Sequence, residues 1–393
     1  MSFVNNLQKA LRANIRDYGM FIALIVIMFI FTITTNGIFI SSRNISNLLN
    51  QTGYLAVLAI GMTLIIVIRH IDLSVGFLSG FIGAVTATAM TVWGWPIYLA
   101  IPLALLLGIA AGSLTGFMVA VLGISGFVAS LAGFMAYRGA ILLTTMGTGT
   151  IIIKNNLFNA IGNGYIPDIP FKLIPGFHNV TLILGVIAII LFIAGELKSR
   201  RVKQEYNFEV LTMDMFVLKL LFISALISYF IITLAQYNGI SWTVVVVLLV
   251  LGVYQFLTNR TILGRHIYAL GGNPEAAELS GINVKKIQFF VFGSMGMLSA
   301  ICGILFASRL QSATTTAGTL FELDAIAATF VGGTSTAGGI GKVTGSLIGA
   351  LVIISLTNGM NIMSIDISVQ YIVRGIVLAV AVIFDVATRA RGK

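Results

Sequence analysis

The run MFVLKLLFISALISYFIITLA, residues 215–235, decides the solvent in which this chain folds. A helix needs about twenty predominantly apolar residues to cross the hydrocarbon of a bilayer, and this run supplies them. Only helices and closed barrels satisfy their backbone groups in lipid. Barrel strands alternate apolar and polar side chains over about ten residues, and residues 215–235 do not alternate. The run is therefore helical. Comparable runs fall near 18–35, 53–71, 74–92, 97–122, 127–145, 179–195, 241–258, 288–308, 343–361 and 369–388, with a shorter, glycine-rich one near 323–338. The whole chain of 393 residues is 58% hydrophobic and 9% charged, whereas a soluble domain carries roughly a quarter charged residues. Its mean hydropathy of +1.02 excludes a water-soluble globule. The fold class is an all-α polytopic membrane protein, with one transmembrane domain over 1–393.

A net charge of +10 would suit a nucleic-acid binder if the chain were soluble. Here the basic residues gather at the edges of apolar runs, as the positive-inside rule requires, and no nucleic-acid partner is expected. Lys9, Arg12 and Arg16 precede the first run, and Lys198, Arg200, Arg201 and Lys203 follow the sixth. Arg260, Arg265, Lys285 and Lys286 share one loop, while Arg389, Arg391 and Lys393 close the chain. Four clusters on one face put both termini in the cytoplasm of a multi-pass inner-membrane protein. Parity then constrains residues 323–338. They either cross, giving twelve spans, or fold with 343–361 into a broken re-entrant hairpin, giving ten. Hydropathy does not choose, and the expected bundle has about ten transmembrane helices with additional short or re-entrant segments. The first run ends at Thr34, Thr35 and Asn36 without a small-residue cleavage site, so it reads as a retained anchor. The longest outer loop, 146–178, carries Pro167, Pro170 and Pro175 and reads as a structured extracytoplasmic cap.

Several chemistries are excluded. Cys302 lies inside an apolar run, so no disulfide framework is present. His70, His178 and His266 are too far apart in sequence for a metal motif. Gly339-Ile340-Gly341-Lys342 resembles the end of a phosphate-binding loop, but Thr336 stands where its first glycine belongs and Val343 replaces the magnesium-binding hydroxyl. No catalytic residue, metal or cofactor is assigned to this chain.

Residues 259–286, NRTILGRHIYALGGNPEAAELSGINVKK, are the most informative segment. Asn273 suits a helix N-cap and Pro274 the first helical position. Glu275 meets the positive end of the dipole, and Gly281 offers a left-handed stop. A helix this short is unstable alone in water. It is either held for a partner or is an incidental loop helix on the membrane surface.

The string GRHIYALGGNPEAAELSGINV (264–284) resembles the cytoplasmic loop of the ribose/xylose-type sugar ABC permeases, within the branched-chain amino acid and ribose permease superfamily. Further matching strings are RNISNLLNQTG (43–53), AIGMTLIIVIRHIDLSVG (59–76), SGFVASLAGFMAYRG (125–139), ELDAIAATFVGGTSTAGGIG (322–341) and NGM (358–360). They cover nearly the whole chain in the family's order, and HIDLSVG is closest to the multiple-monosaccharide and xylose branch. Region 146–178 matches poorly, and Arg69 departs from the family pattern. The resemblance implies two permease copies as a homodimer, a cytoplasmic sugar ABC ATPase that carries the ATP and magnesium, and a periplasmic or lipid-anchored sugar-binding protein. Gly271, Gly272, Asn273, Pro274, Glu275, Ala276, Ala277, Glu278, Ser280 and Gly281 would then form the ATPase-coupling element, and 259–286 the coupling loop. The implied cargo is a monosaccharide such as xylose, galactose, arabinose or glucose. A permease of the same kind for a nucleoside or a branched-chain amino acid is an alternative. So is an ion-coupled secondary transporter, which normally needs carboxylates deep in the bundle.

Charged groups at membrane depth are functional candidates. Arg69, His70 and Asp72 lie together, with Asp72 capping the next helix through Ser74 and pairing with Arg69, or serving a gate that includes Gly76. Glu322 and Asp324 precede the glycine-rich run near Arg309, as an ion pair or cap, or as substrate contacts. Arg138, Arg374 and Asp385 sit inside runs without an assigned partner. Residues 332–339, Gly-Gly-Thr-Ser-Thr-Ala-Gly-Gly, interrupt any helix. Thr334, Ser335 and Thr336 offer hydroxyls to a sugar or make a packing turn, and Asn358 completes the translocation-path candidates. Glycines four apart, at 76 and 80, at 108, 112 and 116, and at 341, 345 and 349, read as close helix-packing seams.

Overall fold

The computed structural model describes residues 15–147, 149–170, 174–208 and 210–390. Lys9, Arg12, Arg391 and Lys393, on which the orientation of the termini rests, lie outside the described residues. Fifteen α-helices are described: α1 Ile15–Thr34, α2 Ser42–Val67, α3 Val75–Thr91, α4 Ile97–Ala120, α5 Gly126–Thr145, α6 Asn156–Asn163, α7 Asn179–Glu205, α8 Met213–Ala235, α9 Trp242–Arg260, α10 Ile262–Gly272, α11 Pro274–Leu279, α12 Val284–Leu310, α13 Phe321–Val331, α14 Val343–Ile362 and α15 Ile367–Ala390. Among them nine (α2, α4, α5, α7, α8, α9, α12, α14 and α15) are long and apolar enough to cross a membrane, and two shorter apolar helices add to these. The chain is a polytopic, all-α membrane protein.

The described residues fall into two compact units. The larger comprises 16–39, 48–147, 149–164 and 242–390, and the smaller 15, 40–47, 165–170, 174–208 and 210–241. In the larger unit α2 and α12 form the interior. Within α2, 89% of the apolar window is buried, and within α12, 72%, against 22% in α4 and α5. The exposed apolar faces of α4 and α5 suit lipid or another apolar surface. α4 packs closely on α12 because a Cβ at Gly112 would strike the Phe292 carbonyl. The expected glycine seams are therefore packing contacts: Gly345 and Gly349 likewise lie on Gly332 and Ala328. Small residues are what allow helix backbones to approach this closely in lipid.

The only strands among the described residues, β1 (Thr150–Ile152) and β2 (Ser312–Thr314), pair antiparallel. With α6 they mark the end of the larger unit where α12 finishes: Asn163 Nδ2 donates to the Ser308 carbonyl at 2.8 Å. At the opposite end lie the start of α12, the end of α2 and α10–α11. Between these ends, residues 315–342 run the full depth as a bend, the 11-residue α13 and a loop. At 1.5 Å per residue α13 covers about 16 Å, roughly half of the bilayer core. Gly318 packs against Gly76 near one end of α13, and Gly339 N–H donates to the Val67 carbonyl at 2.9 Å beyond the other. Residues 315–342 thus connect the two ends of the larger unit, with a helix shorter than a full span at their centre.

In the smaller unit the proline-rich stretch after Tyr165 is folded onto the start of α7. Asp168 accepts from the backbone N–H groups of Asn179 at 3.1 Å and Val180 at 3.0 Å. These bonds, led by that of Val180, hold its carboxyl below the usual carboxylate range.

Candidate functional site

The site begins with a cap. Asn273 Oδ1 accepts from the Ala276 N–H at 3.0 Å, Pro274 occupies the first turn and Glu275 stands beside it. Ser280 follows as C-cap, and Gly281 takes φ +82°. The six-residue helix α11 buries one residue, Ala277, and exposes Glu275, Ala276, Glu278, Leu279 and Ser280. Leu279 is 90% exposed, the most exposed large apolar side chain among the described residues. An apolar knob at the tip of a rigidly capped helix has the form of an insertion element.

The base of this element is clamped to the bundle. Arg69 follows α2 in the left-handed region, at φ +65°. Its Nε donates to the Gly271 carbonyl at 2.7 Å, and its Nη2 donates to Gly272. Those carbonyls are the negative end of α10, where a cation is favoured. Gly271 is packed so tightly that a Cβ there would fall on the Val67 carbonyl, and Gly339 packs against Gly272. Tyr268 completes the joint by donating to the Gly341 carbonyl at 2.7 Å. The end of α2, the α10–α11 corner and the loop 338–341 thus meet at one point.

The expected pairing of Arg69 with Asp72 is not formed. Asp72 is buried and accepts from Ser74 N–H at 2.9 Å and Ser74 Oγ at 2.6 Å. A carboxylate two residues before the amide it binds makes a local turn, so the Ser74 side chain makes no capping bond to α3. His70 lies against Gly126 and Ser74 against Gly133, so the segment 70–74 follows the first two turns of α5. Beyond it a Cβ at Gly76 would meet the Glu322 carboxylate and the Gly318 carbonyl. Glu322 is buried, and its Oε2 has no hydrogen-bond partner among the described residues.

The other charges find partners that sequence separation hides. Asp324 accepts from Arg374 Nη1 at 3.1 Å. Arg138 lies over the Phe77 ring at 4.8 Å. Asp385 accepts from Thr336 N–H at 3.1 Å and Thr336 Oγ1 at 3.0 Å, with Ser335 Oγ at 3.4 Å. Thr334 and Ser335 are fully buried and Thr336 is exposed, and the loop is tied to α15 through Asp385. Asn358 Nδ2 donates to Gln51 Oε1 of α2 at 3.4 Å.

Residues 44–382 match the family model described as "Branched-chain amino acid transport system / permease component". The chain belongs to that family. This permease is also 40% identical to the xylose transport system permease protein XylH of Haemophilus influenzae over 385 residues, 98% of this chain and 99% of the relative. It is 38% identical to XylH of Escherichia coli, with 96% and 93% of the two chains covered. The ribose import permease protein RbsC of Haemophilus influenzae is 35% identical, over 93% and 91%. No solved structure gives a significant match. The permease is a multi-pass protein of the bacterial inner membrane.

Three residues of the permease escaped the sequence reading. Leu279 lay inside the quoted segment, but only its exposure shows it to be the tip. Arg69 stood out as a departure, yet its partners are more than 200 residues away in the chain. Asp385 was visible as a charge in an apolar run, without any signal for the loop it holds.

Proposed function

We propose that this permease is the membrane subunit of an ATP-driven ABC importer for monosaccharides, pentoses foremost, working with a second copy of itself. A separate ATPase that carries ATP and magnesium receives α11, and a sugar-binding protein docks on the opposite face. The observation that carries this reading is the capped, outward-pointing α11 clamped at its base to α2 and to the 338–341 loop. A push on Leu279 is delivered through Gly271 and Gly272 to Val67 and Gly339, and so to the α13–α14 hairpin. The far end of that hairpin holds Glu322 against Gly76 and Asp324 against Arg374. Motion of the hairpin would therefore change the packing around the buried carboxylates, a device suited to alternating access. The relatives named for xylose and ribose support a pentose as cargo. In importers of this kind the binding protein supplies most of the discrimination.

A second reading, an ion-coupled carrier, is favoured by one observation: the unpartnered buried oxygen of Glu322. Proteoliposomes separate the two. Uptake of labelled xylose or ribose that needs ATP, the ATPase and the binding protein together supports the importer. Uptake by the purified chain alone, abolished by an ionophore, would establish the carrier instead.

A further inference from the structure

Within the smaller unit, the facing ends of α7 and α8 border an open pocket of about 260 Å³ that the transport reading does not use. It is lined by Glu196, Ser199, Arg200 and Lys203 of α7 and by Phe216 and Lys219 of α8. Among the described lining residues three cations face one carboxylate, and that carboxylate is already engaged, with Lys219 Nζ at 2.7 Å from Glu196. The pocket therefore keeps a surplus of positive charge. Arg200 is fixed in place: its Nη1 donates to the Leu211 carbonyl at 2.7 Å, and its guanidinium lies over the Phe216 ring at 4.7 Å. A guanidinium has five N–H donors in a rigid fork, and the hydrogen bond to Leu211 uses one of them. The first turn of α8 adds the positive end of a 23-residue helix, and Thr212 makes no capping bond with its side chain.

The depth of the pocket identifies the class of anion. It sits where the apolar part of α7 gives way to Glu196-Leu-Lys-Ser-Arg-Arg, the level of the headgroups. The basic cluster 198–203 puts that level on the cytoplasmic side, where anionic lipids make the surface negative. Exposed apolar side chains border it, Val202 at 44%, Met213 at 61% and Val217 at 41%, and these offer contact to acyl chains. We propose that this pocket binds the phosphate of an anionic phospholipid. Arg200 and Lys203 would contact the headgroup, and Lys219 would share its charge between Glu196 and the lipid. The proposal is independent of what the permease carries.

The test uses the full chain purified in detergent, titrated with phosphatidylglycerol, with phosphatidylcholine or with inorganic phosphate. Native mass spectrometry and the thermal midpoint are the readouts. Phosphatidylglycerol is expected to remain bound and raise the midpoint, while phosphatidylcholine and inorganic phosphate do neither. Arg200→Gln with Lys203→Gln should weaken phosphatidylglycerol about thirtyfold, roughly fivefold for each cation removed. Lys154→Gln, at an exposed lysine of the larger unit, should leave the affinity unchanged. If the double variant does not fold, the exposed Lys203→Gln alone carries the test through its fivefold loss. Equal binding of the two lipids, an equal effect of inorganic phosphate, or unchanged affinity in the variants would overturn the proposal.

Discussion

At the scale of single residues, the proposed function gives Leu279 and Arg69 two separate jobs, contact and transmission. Leu279 touches little of its own chain, so its removal should leave folding intact. Apolar anchors seated in a partner's pocket contribute about 2 kcal/mol or more to binding when truncated. Leu279→Ala is therefore expected to weaken ATPase binding by at least about tenfold, with normal membrane yield. Biolayer interferometry with purified ATPase would show this; an unchanged affinity would remove Leu279 from the interface. Arg69 acts one step later. A hydrogen bond to a charged group contributes roughly 1.5–3 kcal/mol, and Arg69 makes two to the carbonyls at the base of α11. Arg69→Gln should keep the ATPase bound yet lower the sugar moved per ATP hydrolysed. Lysine, a compact point charge that lacks the rigid fork, should restore only part of the ratio. If Arg69→Gln transports with the wild-type ratio, the clamp has no part in coupling.

At the scale of elements, what was local in sequence was legible, and what was distant was not. The Asn-Pro-Glu start and glycine stop of α11 predicted a capped short helix, because capping depends on residues within a few positions of each other. Asn273→Ala removes the bond to Ala276 N–H, and loss of such a cap costs about 1 kcal/mol. Hydrogen exchange at residues 276–280 should then run about fivefold faster while the amides of α12 keep their protection. Unchanged exchange at 276–280 would mean that packing of Ala277, rather than the cap, holds the helix. The α13–α14 hairpin shows the opposite case. Glycine spacing announced tight seams, but a period of four names no partner. The pairing of Gly349 with Ala328 and of Gly112 with Phe292 emerges only in three dimensions. The same limit explains why Arg374, fifty residues from Asp324, had no partner in the sequence reading. It also explains why Arg69 was assigned to its sequence neighbour Asp72.

At the scale of the whole molecule, the open sequence question was whether residues 323–338 cross. Hydropathy fails there for a physical reason. The helical part, α13, is too short to span, and its continuation is polar backbone that escapes lipid by packing against Val67 and Gly272, a burial no window average registers. The sidedness this implies can be measured on a clean background, because the single cysteine, Cys302, is buried. Ile153 N–H donates to the Gln311 carbonyl at 2.8 Å, which places Lys154 at the end of the larger unit where α12 finishes. Lys342 begins α14 at the other end, beside the α10–α11 corner. Both lysines are exposed. Cysteine at position 154 should react with an impermeant maleimide in intact spheroplasts. Cysteine at position 342 should react only in inverted vesicles, as should cysteine replacing Ser280 at the end of α11. Labelling of 154 and 342 from the same side would turn 315–342 into a re-entrant loop and detach the α13–α14 hairpin from α11. The path from Leu279 to the buried carboxylates would then have no structural basis.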